Sequence, residues 1–405
     1  MTRAANVSKE LNQLRNEANQ FAAETLRPAA LALDRMNDLK EVIAPASPLW
    51  QALRGAYSLR YHAAEMPRQL DGLGLSGAEL EVVFEELGWG SAGLASALLA
   101  STIPFTSAVR AQEPELVERF VRPFASDRGA SLVGCWAMSE PHHGSDVLAI
   151  GAREFRYPQI PGQLMARSES DAYVLSGHKS TWVGNGTIAT HALTHVTIES
   201  KGMASRDILL IPLDLPGISR GEMFRKIGQR ELNQGEIIFE DVRVPHSLSV
   251  TKIDGYEHCL IKILGHASAC LSAIFTGLAR AAYEEALDYS KRQVQGDKLL
   301  CEHQVVQKRI FDMYVEVEAS RALAQAALSA DYGGARPPLE QALAAKVFCS
   351  QAALKVTGDA VELFGARGLA QGTLIEKLFR DGRTTAAQQG SNEVLALTGA
   401  RLLLG

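Results

Sequence analysis

The sequence predicts an α+β protein that is mainly α-helical, with a helical domain at each end and a β-barrel or sheet domain between them. Residues 1–131 are rich in alanine and leucine and contain few β-branched runs. Residues 132–247 contain short β-branched runs that glycine, proline or aspartate interrupts about every ten residues. From residue 248 onward long apolar segments return. We therefore predict an N-terminal helical domain over 1–131, a central β-domain over 132–247 and a C-terminal four-helix bundle over 248–405.

The N-terminal third shows helical spacing and a helix start signal. Ser76 stands three residues before Glu79, which is the spacing of a capping box, and the glycine-rich segment 72–76 predicts a turn just before it. We therefore predict that a helix containing Glu85 and Glu86 begins after Ser76. Near the N-terminus, apolar residues recur at helical spacing at Leu11, Leu14, Ala18 and Phe21.

The middle third has the pattern of an antiparallel sheet or barrel. Its short β-branched runs are separated by turn-forming residues, as in all-β domains. Val242–Pro245 resembles a strand end that leaves this domain. The four clearest runs are Ala172–Leu175, Ala192–Thr197, Ile208–Ile211 and Glu236–Phe239.

The last third predicts long buried helices. Residues 261–292 are apolar or small over most of their length, which is typical of a helix inside a bundle. Further helices are predicted over 302–331 and 337–364, with a short one after Ser391, and the segment Gly333–Pro338 predicts a break.

Composition excludes several classes of protein. The net charge of −5 argues against a protein that binds nucleic acid or a membrane surface. No segment approaches the roughly 18 uninterrupted apolar residues of a membrane span, and the N-terminus has no signal-peptide pattern. The cysteines lack metal-site or disulfide spacing, so we expect reduced thiols, no metal and a cytoplasmic location. They are Cys135, Cys259, Cys270, Cys301 and Cys349.

The segment 133–146 is the most informative stretch for function. Val133, Trp136 and Met138 are large and apolar and predict a strand, which Pro141 and the following glycine end. The resulting turn is rich in backbone N–H groups and hydroxyls. Such a turn is suited to hydrogen-bond a flat heterocycle edge and a nearby phosphate.

Five sequence blocks follow one another along the chain. One of them, Ala137–Asp146, reads Ala-Met-Ser-Glu-Pro-His-His-Gly-Ser-Asp. The others are Met66–Ser76 with Glu85–Leu87, Tyr173–Gly186, Lys226–Pro245 and Glu376–Glu393. Together and in this order they resemble the acyl-CoA dehydrogenase family of flavoproteins, whose corresponding second block is TEP.AGSD. The resemblance covers nearly the whole chain.

The resemblance implies an FAD cofactor between the β-domain and the bundle, in a site that a neighbouring subunit of a homodimer or homotetramer partly completes. It implies that Ser139 and Trp182 contact the isoalloxazine ring, that Gly144 and Ser145 lie near flavin or thioester phosphates, and that Ser391 lies near the FAD phosphates. The full set that it implies at the cofactor is Trp136, Met138, Ser139, Gly144, Ser145, Trp182, Gly184, Arg292, Ser391 and Glu393.

The family's chemistry needs a base for the α-proton of an acyl thioester and a donor for the thioester carbonyl. The base is usually the glutamate of a YEGT motif. Here residues 388–391 read Gln-Gln-Gly-Ser, so Gln389 takes that position. A primary amide has no usable basicity near neutral pH. We therefore expect Gln389 to act only through its backbone N–H, which still suits the carbonyl oxygen.

Two other sites are candidates for the missing base. Some family members place the glutamate on the first long bundle helix, at a position that matches Ala267, and His266 is adjacent to it. A histidine titrates near neutrality, so His266 is a candidate catalytic base. The alternative is a helix histidine hydrogen-bonded at an interface. His142 and His143 form a second candidate pair.

Three functions remain open on these observations. The first is α,β-dehydrogenation of an acyl thioester carried by CoA or by an acyl carrier protein, as in secondary metabolism, with another base or an acidic substrate. It needs an electron acceptor. The second is a monooxygenase on the same fold, which needs no carboxylate base but needs a flavin reductase or NAD(P)H. The third is a catalytically inactive relative.

Overall fold

The computed structural model describes residues 2–152, 162–200, 203–333 and 338–405. The N-terminal third is helical, and Ser76 and Glu79 form the predicted capping box at the start of one helix. Its helices are α1 (Thr2–Phe21), α2 (Arg27–Asp34), α3 (Leu39–Ile43), α4 (Pro48–Ser58), α5 (Gly77–Gly90), α6 (Ala92–Arg110), α7 (Pro114–Leu116) and α8 (Arg122–Ser126).

The central third forms a seven-stranded sheet within the described residues. The strands are β1 (Gly134–Ala137), β2 (Met165–Ser168), β3 (Ala172–Lys179), β4 (His191–Ser200), β5 (Met203–Pro212), β6 (Ile218–Met223) and β7 (Gly235–Pro245). The hydrogen-bonded order is β1-β4-β2-β3-β7-β6. Strand β5 stands outside this order and pairs with β4.

The sheet is mixed, so the prediction of an antiparallel sheet holds for four of its six strand pairings and is wrong for the other two. Strand β4 runs parallel to both β1 and β2, while the other pairs are antiparallel. Parallel pairing needs a long connection, and the chain between β1 and β4 provides one. All four predicted runs lie inside strands, namely β3, β4, β5 and β7.

The C-terminal third is a helical domain built on three long helices. They are α9 (Tyr256–Ser290), α10 (Gln304–Gly333) and α11 (Leu339–Phe364), which pack on one another. Shorter helices α12 (Leu374–Thr384) and α13 (Asn392–Leu404) pack on α11. A small hairpin of β8 (Val294–Gln295) and β9 (Lys298–Leu299) joins α9 to α10. Most of the predicted break, residues 334–337, lies outside the described residues.

Two helices contain long apolar segments because these segments lie in the core. Helices α6 and α9 are long and apolar enough to meet the criteria for a membrane span, but 89% and 94% of their apolar windows are buried within the fold. This burial is that of core helices, which satisfy the same test of length and composition. Helix α6 packs against β1 and α9, and thereby connects the sheet to the C-terminal domain.

Candidate active site

A cavity of about 410 Å³ lies where the three parts of the chain meet. One side of α6 forms its first wall. Turns that follow β1 and β3 form the second, with two residues from the connection between β6 and β7. The turn between α12 and α13 closes it. Eight of the predicted site residues line it, namely Trp136, Met138, Ser139, Gly144, Ser145, Trp182, Gly184 and Gln389.

Close packing between β1 and α6 fixes one edge of the cavity. A Cβ atom at Gly134 would lie 2.3 Å from the carbonyl oxygen of Ser101, so only glycine permits this approach. The side-chain amide of Asn185 donates to the carbonyls of Ala97 on α6, at 2.7 Å, and of Gly134, at 3.2 Å. The strand end and the helix therefore hold one relative position.

Hydrogen bonds join the turns after β1 and β3 at the cavity wall. The Ser180 backbone N–H donates to the Ser139 carbonyl at 2.9 Å, and the Ser180 hydroxyl donates to the Ser139 hydroxyl oxygen at 3.0 Å. Because the Ser139 oxygen accepts this bond, its own hydrogen is available to a ligand. Nearby, the indole of Trp182 packs edge-on against Phe224 with 4.6 Å between ring centroids. The indole is 57% exposed, so its face is accessible to a ligand.

A hydrogen-bond chain through the buried His195 orients Trp136 at the cavity. The indole N–H of Trp136 donates to Nε2 of His195 at 2.8 Å, and Nδ1 of His195 lies 3.0 Å from the Tyr256 hydroxyl. Burial lowers the pKa of His195 well below its usual value, and nearby Lys179 and Arg206 lower it further. The imidazole is therefore neutral and suited to accept the indole hydrogen.

A buried ion pair holds the base of the turn after β1. Glu140 accepts a hydrogen bond from the Lys179 ammonium at 2.7 Å, and both side chains are buried. Burial raises the pKa of the Glu140 carboxyl, but Lys179 and two backbone N–H donors more than offset this, so the pKa is lowered overall. Further along the turn, the Gly144 backbone N–H donates to Asp146 at 2.6 Å. These contacts fix the backbone that presents Ser145.

The turn before α13 has an unusual backbone. Gln389 has a φ of 57° and Gly390 a φ of 105°, so two consecutive residues are left-handed. A Cβ atom at Gly390 would lie 2.7 Å from Leu148, which explains the glycine. A glutamine in this region costs about 1–2 kcal/mol, and such strain is concentrated at functional sites. Ser391 then caps α13.

The cavity wall carries no charge. Among the described residues that line it, none has an ionisable side chain, and the polar groups are serine hydroxyls, glutamine amides and main-chain groups. Two buried amide atoms, Gln388 Oε1 and Gln389 Nε2, have no hydrogen-bond partner among the described residues. The Gln388 Nε2 atom donates to Ser96 at 2.8 Å.

Three family models match successive parts of the chain. They are the acyl-CoA dehydrogenase N-terminal domain over residues 8–128, the middle domain over 135–242 and the C-terminal domain over 258–404. The chain belongs to the acyl-CoA dehydrogenase family. The sequence blocks quoted above predict this membership correctly, and members of this family are FAD-dependent oxidoreductases.

Characterised relatives match over nearly their full length. The chain is 27% identical to a cyclohexane-1-carbonyl-CoA dehydrogenase of Geobacter metallireducens, covering 98% of both proteins. It is also 27% identical to the mitochondrial short-chain specific acyl-CoA dehydrogenase of Homo sapiens, covering 95% of this chain and 87% of the human protein. The structure of butyryl-CoA dehydrogenase from Megasphaera elsdenii superposes with a TM-score of 0.85 at 24% identity, covering 98% of each chain, which shows a shared fold.

The residues at the cavity fit the family's cofactor. A flavin ring is flat and has hydrogen-bonding atoms along its edge, and the cavity offers an exposed indole face beside the Ser139 and Ser145 hydroxyls. The unpartnered amide atoms of Gln388 and Gln389 are available to a polar ligand, and such a bond would remove the cost of about 1–3 kcal/mol that a buried polar atom without a partner carries. These groups would hold FAD and an acyl thioester in this acyl-CoA dehydrogenase-like site.

His266 lies outside the cavity, in a buried ionic cluster. Its Nε2 is 2.9 Å from Glu65 and its Nδ1 is 2.9 Å from Asp331, which also binds Arg110 at 2.8 Å. Burial lowers the pKa of His266, but interactions with Cys270, Glu65 and Asp331 raise it well above its usual value. A protonated imidazole away from the cavity cannot take a proton from a substrate there, so the structure argues against His266 as the base.

The other predicted residues do not line the cavity. Ser391 contacts it indirectly, because its backbone N–H donates to the Ser145 hydroxyl at 2.9 Å. Glu393 is exposed in the first turn of α13. Arg292, just after α9, donates to the Asp288 carbonyl at 3.2 Å. His143 pairs with Asp146 at 2.9 Å, and neither it nor His142 lines the cavity.

Sequence reasoning missed the wall that α6 provides. Residues at positions i, i+3, i+4 and i+7 of this helix face the cavity, and they are Ser96, Leu99, Ala100 and Ile103. The helix is apolar nearly all round, so periodicity gives no signal for which face meets a ligand. On α9, Leu271 lines the cavity, whereas the small residues at 267–269 and 272 are packed in the core.

Proposed function

We propose that this chain is an FAD-dependent oxidoreductase that dehydrogenates an acyl-CoA thioester in this cavity. The observation that carries the proposal is the meeting of Ser139, Ser145 and Trp182 with the strained turn at Gln389 around one uncharged cavity. In the family's motifs, the positions of these four residues lie at the flavin and the thioester. They come from distant parts of the chain.

The reaction removes a proton from the α-carbon and a hydride from the β-carbon. When bound, FAD supplies the acceptor for the hydride. The Gln389 backbone N–H polarises the thioester carbonyl, so that enolate charge is stabilised as the proton leaves. The Ser139 hydroxyl and the Trp182 indole would orient the flavin ring, and the apolar side chains of α6 would line the space beside it.

The cavity offers no side-chain base, which restricts the substrate. The Gln389 amide cannot take the α-proton, and no ionisable group of the described lining replaces it. A positioned general base contributes about 10²–10⁴-fold to such a step. We infer that the substrate is a thioester whose α-hydrogen is already acidic, with an electron-withdrawing group on the α-carbon, and that water accepts the proton.

The carrier proposed first is CoA. The relatives from Geobacter metallireducens and Homo sapiens are CoA-thioester dehydrogenases by name. An acyl carrier protein presents the same thioester on a phosphopantetheine arm and is the alternative carrier. Thioesters of CoA and of an acyl carrier protein are therefore both to be titrated.

The test is anaerobic absorbance of the FAD-loaded protein during titration with paired thioesters of equal length. In each pair one member is a simple saturated acyl-CoA and the other carries an α-electron-withdrawing group. We expect the acidic member to bleach the oxidised flavin at least about 10²-fold faster, because no base assists the saturated one. Equal, fast bleaching by both would contradict the proposal, since it would require a base.

A flavin monooxygenase is the second candidate, and the uncharged cavity is the observation that favours it. It predicts that no thioester bleaches the flavin, while a flavin reductase with NAD(P)H does so and O₂ is then consumed. Protein that does not take up FAD at all would indicate an inactive relative.

Replacing Trp182 by alanine tests the flavin position without turnover. We expect FAD affinity to fall by about 2–10-fold, because aromatic ring contacts contribute about 0.5–1.5 kcal/mol. The measurement is flavin fluorescence during titration of the apoprotein with FAD. Trp182→Phe keeps an aromatic face and serves as the control. Unchanged affinity in Trp182→Ala would place the flavin ring elsewhere.

A further inference from the structure

A lysine is buried directly behind the turn at Gln389. Lys346 lies on α11 and has no exposed side-chain surface. Its ammonium nitrogen, Nζ, donates to the Gly390 carbonyl at 2.9 Å and to Oδ1 of Asn392 at 3.0 Å. Both acceptors are neutral. Burying an ammonium is costly unless a negative charge is near, so this position calls for an explanation.

The charged groups near Lys346 do not offset the cost of burying its ammonium group. Burial lowers its pKa to about 7, and the exposed carboxylate of Glu393 raises it only in part. No other charged group of the described residues contributes to that balance, and Asn392 is held by a neutral partner, the Ser350 hydroxyl, at 2.9 Å. An anion brought near this site would favour the charged form of the lysine.

One peptide group connects the lysine to the cavity. The carbonyl of Gly390, which accepts from Lys346, shares its peptide group with the N–H of Ser391. That N–H donates to the hydroxyl oxygen of Ser145 at 2.9 Å, and Ser145 lines the cavity. Hydrogen bonds in a chain polarise one another. A positive charge at Nζ therefore strengthens the N–H donor, and in turn the Ser145 O–H, as donors toward the cavity.

We propose that Lys346 is a positioning residue that stabilises negative charge in the cavity through the Gly390–Ser391 peptide group and the Ser145 hydroxyl. The described lining of the cavity carries no charge of its own, so this lysine supplies positive potential from behind the Gly390–Ser391 peptide group. The inference deepens the proposed function and rests on it only in requiring that FAD binds in the cavity. It applies to any reaction that delivers two electrons there.

The test is the midpoint potential of the bound flavin, which needs no thioester turnover. Removing the charge with Lys346→Met is expected to shift the equilibrium at least tenfold toward oxidised flavin, which for a two-electron couple is about 30 mV lower. Lys346→Arg keeps the charge, so its midpoint potential is expected to fall less than that of Lys346→Met. Lys355→Met is the matched control, because Lys355 is exposed on the same helix and pairs with Asp359 at 3.0 Å.

A second variant distinguishes an effect of the Lys346 charge from a purely structural role of its side chain. Asn392→Asp retains the lysine and its hydrogen bond but places a carboxylate against it, so we expect the potential to fall as in Lys346→Met. A purely structural role predicts no fall in Asn392→Asp, and that result would overturn the proposal even if Lys346→Met does not fold. Failure of every thioester to bleach the wild-type flavin would overturn the proposed dehydrogenation and leave this measurement intact.

Discussion

Replacing Gln389 by glutamate is expected to accelerate flavin bleaching by a saturated acyl-CoA by about 10²–10⁴-fold, the usual contribution of a positioned base. Glutamate has the shape of glutamine, so the left-handed turn before Gly390 is retained. The new carboxylate lies on an uncharged wall, where desolvation raises its pKa. The acceleration is therefore expected to grow as the pH rises through that pKa. Stopped-flow absorbance under anaerobic conditions measures it.

The adjacent amide provides the matched control. Gln388 also lines the cavity, but its Nε2 is bound to the Ser96 hydroxyl at 2.8 Å. Gln388→Glu adds the same charge one residue away and is expected to give little acceleration. If the two variants accelerate equally, or if Gln389→Glu does not accelerate, Gln389 does not occupy the position of the base.

The second large effect concerns stability. Removing His266 with His266→Leu is expected to cost about 3–5 kcal/mol in the free energy of unfolding, because the change leaves the carboxylates of Glu65 and Asp331 buried with less positive charge. Denaturant unfolding at fixed pH measures the loss. His178→Leu is the control, since His178 pairs with Glu236 at a site where its side chain is 51% exposed, and such pairs contribute about 0–1 kcal/mol.

The pH dependence of this loss has a defined sign. The pKa of His266 is raised well above its usual value in the folded protein, so the protonated form stabilises the fold. This contribution is complete below the unfolded pKa of about 6.5 and decreases as the pH rises toward the folded pKa. The difference between wild type and His266→Leu is therefore expected to narrow from pH 6 to pH 9. A difference that stays constant or widens would show that the histidine is not charged in the fold.

The helix–sheet–helix order was predictable because helices and strands leave different local patterns. The capping box at Ser76 and the four β-branched runs are local signals, and the structure has both. The parallel pairing of β4 with β1 and β2 was not predictable. Pairing is decided by contacts between segments that are far apart in the chain, and no local pattern records them.

The site was predictable where it consists of turns. Ser139, Ser145 and Gln389 lie in short motifs with distinctive residues, and the structure brings them to one cavity. The candidate base His266 lies off the cavity, and its contacts to Glu65 and Asp331 are those of the alternative, a hydrogen-bonded helix histidine. Leu271 lines the cavity one turn beyond Ala267, so Ala267 shares its face, and His266 is rotated from that face by about 100°. A shift of one residue along a helix therefore places the side chain on a different face.

The most direct test that FAD and the thioester bind in this cavity is a crystal structure of the protein grown with FAD and a non-reactive acyl-CoA analogue. We expect isoalloxazine density in the cavity against Trp182, within hydrogen-bond distance of the Ser139 hydroxyl, and the thioester oxygen at the Gln389 backbone N–H. Flavin density outside this cavity, or an empty cavity at saturating FAD, would contradict this expectation.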